Sequence, residues 1–191
     1  MRSSCSFVST PSAVAVNLSP AQFRSPGLVQ VVVSALAASG LPPERLELEI
    51  TEGTLLQDSE TTLSMLYQLR VLGVLIVMDD FGTGYSSLSY LQSFPFDKIK
   101  IDRSFVKDIA DGVGSLNIVR AVAALANGLG MTTTAEGVET QEQMDTVRAE
   151  GCTEMQGYLF SKPLPIVELE ALLLASCNGA TQNMAPAHRA A

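Results

Sequence analysis

Cysteine and histidine are scarce in this chain of 191 residues. Its three cysteines, Cys5, Cys152 and Cys177, are widely spaced and form no CxxC pair, and its single histidine, His188, lies close to the C-terminus. A disulfide framework and a Cys/His zinc site both need more of these residues at closer spacing. The sequence therefore predicts a protein of the reducing cytoplasm, with His188 outside any functional site.

Positive charge is also scarce. The chain has 12 Lys and Arg residues against 20 Asp and Glu residues, a formal net charge of −8, and no cluster of basic residues. A protein that docks along a long nucleic-acid duplex neutralises phosphates with such clusters, so that partner is not expected. A small phosphate-bearing ligand is compatible with the composition, because a bound metal ion can invert the local field of an acidic site.

Long hydrophobic runs are missing as well. The longest candidates, Leu28–Ala38 and Ala121–Leu129, have the length of core helices and not of membrane spans. Residues 1–13 lack the apolar stretch of a signal peptide and are expected to be a disordered leader, and residues 177–191 a disordered tail. Residues 14–176 would then form one globular domain, since 47% apolar and 17% charged residues are typical of such domains.

Extended apolar runs alternate with helical patterns along the whole chain. The predicted strands are Ala13–Leu18, Leu46–Thr51, Val74–Met78, Asp97–Asp102, Met131–Ala135 and Glu154–Tyr158. The predicted helices are Pro26–Ser39, Ser59–Leu72, Ser86–Gln92, Ser115–Leu129, a helix opened by a capping box from Thr140 to Gln143, and Pro165–Ser176. Six strand–helix units in this rhythm predict an α/β fold with a parallel sheet.

The distribution of charge within the strands favours a barrel over a doubly wound sheet. In LELEIT the apolar Leu46, Leu48 and Ile50 alternate with Glu47 and Glu49. A parallel sheet covered on both faces reads as a nearly continuous apolar run, whereas the inside of a barrel mouth accepts charged groups. The alternation would also suit solvated strand positions. We expect a modified TIM-type (β/α)₈ barrel with about six of its eight units present.

Acidic and amide side chains recur at the C-terminal ends of the predicted strands. They are Asn17, Glu49 and Glu52, Asp79 and Asp80, and Glu136 and Glu139, with Lys100 on the strand between the last two groups. If each strand ends at one rim, these oxygens converge, and such a set without His or Cys suits Mg²⁺ or Mn²⁺. Two such ions that share a carboxylate are the usual means of cleaving a phosphodiester.

Six motifs in this order resemble the EAL domain family: VNLS at 16–19, ELEITE at 47–52, DDFGTGYSSL at 79–88, KIKIDRSFV at 98–106, AEGVE at 135–139 and QGYLFSKPLP at 156–165. The resemblance extends from about Val14 to about Leu174. It implies a modified (β/α)₈ barrel that hydrolyses cyclic di-GMP to linear pGpG with Mg²⁺ or Mn²⁺. It also implies a dimer contact near the DDFGTG loop.

The resemblance also implies a two-metal site. Asn17, Glu49 and Asp79 would bind one ion, and Asp79 would bridge to a second ion bound by Asp80 and Glu136.

Four further residues would support catalysis by the same resemblance. Lys100 would position or help activate the attacking water, and Glu52 would hold the DDFGTG loop. Glu139 and Gln156 would form the supporting shell.

One departure concerns the start of the chain. The family's opening strands, its EAL glutamate (a metal ligand) and a nearby arginine should precede Val14, and nothing in residues 1–12 resembles them. The string EAL at Glu170–Leu172 lies in the predicted last helix and is a coincidence. We therefore expect a truncated domain with weak or lost activity that self-associates through its open sheet edge. The alternatives are an inactive cyclic di-GMP-binding or interaction module, and a fragment that folds only with the missing sequence.

The same residues also have structural interpretations. Asp79–Asp80 could form a strand-end turn, and Lys100 could be an ion-pair partner of Asp102. Glu136 and Glu139 could be acids that a helix start favours. The sequence does not identify the regulatory input or the partner domains.

Overall fold

A computed structural model describes residues 13–23, 25, 27–55, 59–82, 88–109 and 113–177. The predicted leader (except for residue 13), the predicted tail (except for residue 177), and the TGYSS segment at 83–87 lie outside these residues. The dimer contact expected near that segment therefore also falls outside the described part of the chain.

Six parallel strands form one sheet. They are β1 (Val14–Asn17), β2 (Leu46–Thr51), β3 (Leu75–Phe81), β4 (Lys98–Ile101), β5 (Thr132–Ala135) and β6 (Glu154–Met155). Their order in the sheet is their order along the chain. A doubly wound sheet reverses its strand order at a switch point, so this sequential order identifies the barrel type. The predicted α/β class and barrel architecture are confirmed as a curled half-barrel with its helices.

Helices connect the strands. They are α1 (Pro20–Phe23), α2 (Leu28–Ser39), α3 (Glu52–Leu55), α4 (Ser59–Val71), α5 (Leu88–Ser93), α6 (Arg103–Lys107), α7 (Val113–Gly128), α8 (Gln141–Ala149) and α9 (Ile166–Cys177), with a 3₁₀ turn at Pro43–Arg45. The six helices predicted from sequence correspond to α2, α4, α5, α7, α8 and α9. The capping box of α8 is present, since the Thr140 side chain accepts from Gln143 N. The short elements were not predicted, because one helical turn shows no periodicity.

The apolar core lies between the sheet and the helices. Leu48, Ile50, Ile76, Ile99 and Ile101 are 2% exposed or less and belong to one cluster with residues of α4 and α7. Because successive strand residues point to opposite faces, the residues between them face the inside of the curved sheet. Several of those positions carry charge, so the concave face is left for a polar site.

The two ends of the sheet are less protected than its centre. All four residues of β1 are exposed, including the large apolar Val14 and Val16, and β6 has only two residues. Within the described chain neither β1 nor β6 has a strand partner on its outer edge. Self-association through this edge stays a prediction. None of the described helices combines the length and the apolar character that crossing a membrane requires.

Candidate functional site

Lys100 lies at the centre of a group of carboxylates on the concave face. Its Nζ lies 2.9 Å from Glu49 Oε1, 3.0 Å from Asp79 Oδ1 and 2.7 Å from Glu136 Oε1. The three acids come from β2, from β3 and from the residue that follows β5. We call Lys100, these three acids and Asp80 the upper cluster. The predicted alternative, an ion pair of Lys100 with Asp102, is not what the structure has: Asp102 caps α6 by accepting from Ser104 N.

An irregularity in β3 places two adjacent aspartates beside Lys100. Met78 pairs with Ile99 and Phe81 with Ile101, so Asp79 and Asp80 together oppose the single residue Lys100. Side chains of adjacent residues in a regular strand point to opposite faces. A bulge removes this constraint, and Asp80 adopts a left-handed φ of 55° within it. Oxygens of Asp79, Asp80 and Glu136 consequently lie within 4.8 Å of one another.

The upper cluster holds more negative than positive charge, and its titration reflects this. Burial raises the pKa of the Glu136 carboxyl, and the nearby charges of Asp79 and Glu49 raise it further. The contact with Lys100 lowers this pKa but offsets the rise only in part. Burial and the charge of Asp79 likewise raise the pKa of Asp80. Burial alone would lower the pKa of Lys100, but its carboxylate partners outweigh burial and raise it above the ordinary lysine value. The arrangement therefore favours additional positive charge beside the aspartates.

The donor set of the upper cluster fits a hard divalent cation. All its oxygens are carboxylate oxygens, which Mg²⁺, Mn²⁺ and Ca²⁺ prefer. The span of 4.8 Å is within about twice the metal–oxygen reach of roughly 2.0–2.6 Å. Asp79 Oδ1 lies 3.0 Å from Lys100 Nζ, yet it is buried and accepts no well-oriented hydrogen bond from the described residues. We interpret that contact as an ion pair that leaves the oxygen able to accept a further ligand.

The other predicted site residues lie at or after strand ends and differ in burial. Asn17 is exposed at the end of β1, in register with Glu49 on β2. Glu52 is buried at the first residue of α3, directly after β2. Gln156 follows β6 and lines the same cavity as Glu49 and Lys100. Glu139 is exposed before α8, and no contact in the described part of the chain joins its carboxylate to the cluster.

A second group of charges was missed by the sequence analysis. Lys98 Nζ lies 2.6 Å from Glu47 Oε1 on β2 and 2.6 Å from Glu154 Oε2 on β6, and Thr134 Oγ1 donates to Glu154 Oε2 at 3.2 Å. We call Lys98, Glu47 and Glu154 the lower cluster, because Lys98 and Glu47 precede Lys100 and Glu49 by two residues on the same strands. The alternation in KIKID and LELEIT was the available signal, since it places both lysines and both glutamates on one face.

Both clusters border one cavity of about 670 Å³ on the concave side of the sheet. Its walls include Glu47, Glu49, Lys98 and Lys100, and the segment after β6 from Gln156 to Leu164 forms another side. Lys162 lies over the ring of Tyr158 in that segment, with Nζ 5.7 Å from the ring centroid. The cavity thus combines carboxylates, ammonium groups and an aromatic side chain.

A comparison with known protein families agrees with this geometry. A sequence model described as the EAL domain matches residues 2–163. The chain belongs to the EAL domain family. The family predicted from the six motifs is therefore confirmed.

Relatives of the EAL chain have named ligands and activities. This chain is 45% identical over 162 residues to the cyclic di-GMP phosphodiesterase NbdA of Pseudomonas aeruginosa. The aligned residues make up 85% of this chain and 21% of NbdA. It is similar to the solved structure of the PaMucR phosphodiesterase in a c-di-GMP complex, with 44% identity, a TM-score of 0.78, and coverage of 82% of this chain and 64% of that one. It is also similar to Klebsiella pneumoniae BlrP1 in a manganese and c-di-GMP complex, with 38% identity and a TM-score of 0.74. That match covers 79% of this chain and 39% of the BlrP1 chain.

The match covers a limited part of longer proteins. The chain spans about a fifth of the length of several curated relatives that it matches, and the names of these proteins describe them as uncharacterised.

Proposed function

We propose that this EAL chain binds cyclic di-GMP and hydrolyses one of its phosphodiester bonds to give linear pGpG, with Mg²⁺ or Mn²⁺ as cofactor. The observation that carries the proposal is the upper cluster: Lys100 lies within 3.0 Å of three carboxylates that converge from separate strand ends. Active sites of β/α barrels lie at the C-terminal ends of the strands. The named activity of NbdA supports the choice of substrate.

In the proposal, Asp79, Asp80 and Glu136 would hold one divalent ion, and Asn17, Glu49 and Asp79 would hold a second. The first three offer oxygens within 4.8 Å of one another, which fits such an ion, and Asn17 is in register with Glu49. Divalent cations in such a site supply activation of water and stabilisation of the leaving oxygen. Asp79 would serve both ions, which makes it the residue whose charge matters most.

The residues of the chain would bind and orient the reactants. Lys100, held by Glu49, Asp79 and Glu136, would donate a hydrogen bond to the attacking water and keep it near the phosphorus atom. The water oxygen forms the new P–O bond and the P–O3′ bond breaks, because pGpG carries a 5′-phosphate and a free 3′-hydroxyl. Gln156 and the segment after it would contact the substrate, since they line the same cavity as Lys100.

Buried Glu52 and exposed Glu139 would act indirectly. We propose that Glu52 supports the loop after β3 from its position at the start of α3, and that Glu139 supports the rim before α8. Cys152 is a free thiol, which agrees with action in the reducing cytoplasm.

The experiment is a hydrolysis assay with separated products. The chain is incubated with cyclic di-GMP and Mg²⁺ or Mn²⁺, with and without excess EDTA, and pGpG is quantified by chromatography. We expect pGpG only when the metal is free to bind. Asp79→Asn should lower the rate by at least about 100-fold, because it weakens a ligand shared by both ions.

The matched control is Asp145→Asn, which changes an exposed aspartate of α8 whose partners are Gln141 and Arg148. Its rate should equal that of the wild type. Hydrolysis that persists in EDTA, or that survives Asp79→Asn, would contradict the two-metal mechanism. Binding of cyclic di-GMP without pGpG would assign the chain to the second function, a ligand-binding module.

A further inference from the structure

The lower cluster connects strands that are not neighbours in the sheet. Lys98 on β4 reaches Glu47 on β2, past β3, and Glu154 on β6, past β5, both at 2.6 Å. One ammonium group therefore joins strands from β2 to β6 across the concave face. The Lys98 side chain is 8% exposed and that of Glu154 is 50% exposed, so the contact with β6 lies at the open side of the cavity.

β6 is a short strand of two residues. Among the described strands it pairs with β5, through Thr134–Glu154 and Ala135–Met155. Directly before it, Thr153 and Thr133 exchange three hydrogen bonds of 2.7–3.2 Å. Gln156 N then donates to Ala135 O at 2.9 Å, and Val138 N donates to Gln156 O at 3.0 Å. These bonds join β6 and its flanks to β5 and to the residues after β5, and the Lys98–Glu154 contact adds an attachment to β4, beyond β5.

The residues after β6 depend on where β6 lies. Gln156 follows it directly, and Leu159 N donates to Val138 O at 3.0 Å. Residues of this segment line the same cavity as Glu49 and Lys100. A shift of β6 would therefore change the width of the cavity while leaving the upper cluster intact.

The two contacts of Lys98 differ in burial. Glu47 is buried with Lys98 and keeps the ammonium paired when Glu154 is removed, whereas the Glu154 side chain is 50% exposed. The contact with Glu154 therefore contributes modestly to stability, while its geometry links β6 to β4. Burial alone would lower the pKa of Lys98, but Glu154 and Glu47 outweigh it and raise the pKa, so the ammonium form is the one held here.

We propose that Lys98 and Glu154 are a positioning pair, which sets the distance between β6 and the rest of the concave face and so places Gln156 and the segment after it against the substrate. The consequence for the substrate rests on the function proposed above, whereas the placement of β6 does not. Neither residue needs to touch the substrate or the metal ions.

The test replaces Glu154, because its removal leaves Lys98 paired with Glu47. Glu154→Leu removes both carboxylate oxygens, and with them the acceptor that Lys98 and Thr134 share. Glu154→Gln keeps a carbonyl oxygen that can accept from Lys98 and Thr134. Glu142→Leu, an exposed glutamate on α8, is the matched control. Should Glu154→Leu fail to fold, Glu154→Ala takes its place in both measurements.

The first measurement is amide hydrogen exchange by NMR on the full chain without ligand. In Glu154→Leu, the amides of Gln156 and Leu159 should exchange about tenfold faster, while that of Glu136, which donates to Ile101 O, stays unchanged. Glu154→Gln should restore most of the protection. Unchanged exchange at Gln156, or equal acceleration at all three amides, would overturn the proposal, whether or not the chain hydrolyses cyclic di-GMP.

The second measurement separates KM from kcat with cyclic di-GMP as substrate. Glu154→Leu should raise KM by about tenfold and change kcat by less than about threefold, because the wall of the cavity moves and the upper cluster does not. Glu154→Gln and Glu142→Leu should stay close to the wild type. A fall in kcat with KM unchanged would overturn the role in substrate placement. If the wild-type chain lacks turnover, the proposed function fails, and the exchange result still decides whether the pair positions β6.

Discussion

The two clusters on the concave face have the same kind of centre and different surroundings. In the upper cluster one lysine lies within 3.0 Å of three carboxylates, and a fourth, from Asp80, adjoins them. In the lower cluster one lysine is shared by two carboxylates, one of which is half exposed and also accepts from Thr134. The lower cluster is nearly balanced in charge, whereas the upper cluster has a clear excess of negative charge.

In the proposed function, this difference separates a structural arrangement from a cation-binding site. Carboxylates collected beyond what their lysine can neutralise raise one another's pKa values and destabilise the folded state. Such an excess is compensated when a cation binds, and it persists at sites whose task is to bind one. We therefore expect Lys98 and Lys100, which lie two residues apart on β4, to have different roles, because different carboxylates face them.

The largest effect should come from removing the central lysine of each cluster in the absence of metal. Lys100→Met leaves three carboxylates without their cation and should lower the free energy of unfolding by about 3–5 kcal/mol. Lys98→Met leaves one buried and one half-exposed carboxylate and should cost less. Thermal unfolding in EDTA and in Mn²⁺ measures both. Mn²⁺ should recover part of the loss for Lys100→Met and none of it for Lys98→Met. Equal recovery in the two variants would remove the distinction between the clusters.

A smaller effect should follow from moving β6 without changing any charge. A Cβ on Gly157 would lie 2.1 Å from Val138 O and 2.3 Å from Val138 N, which are backbone atoms that cannot move aside alone. Gly157→Ala should therefore lower the free energy of unfolding by about 3 kcal/mol in urea denaturation. Gly128→Ala, where a Cβ meets nothing within 4 Å, is the control and should change it by less than about 1 kcal/mol. A Gly157→Ala variant as stable as the wild type would show that β6 is free to shift.

The smallest effect should come from removing one negative charge from the upper cluster. Burial and Asp79 raise the pKa of Asp80, so its ionised form is disfavoured in the folded state. Asp80→Asn keeps a residue that tolerates the left-handed φ of 55° and removes that charge. It should raise the free energy of unfolding in EDTA by less than about 1 kcal/mol, because solvent screens this partly exposed carboxylate, whereas Asp79→Asn loses an ion pair with Lys100 and should lower it. Both Asp80→Asn and Asp79→Asn should bind Mn²⁺ more weakly than the wild type, as measured by the EPR signal of the free ion. Destabilisation by Asp80→Asn would contradict the interpretation of excess charge.

The sequence alone determined the strands, the long helices and the family. Strands and long helices were predictable, because each carries a period of two or of 3.6 residues that burial on one face demands. LELEIT and KIKID placed Glu49 and Lys100 on the face opposite Leu48 and Ile99, and the structure has them there. The six motifs predicted the EAL family, which the family match confirms over residues 2–163.

Only the tertiary structure decided how these side chains meet. The bulge that turns both Asp79 and Asp80 towards Lys100 depends on the register between β3 and β4, which no local pattern encodes. The partners of Lys98 come from strands 51 and 56 residues away in sequence, and curvature of the sheet selects them. Side-chain alternation tells which face a residue occupies, but the distance between two charges on that face is set by how far the sheet curls.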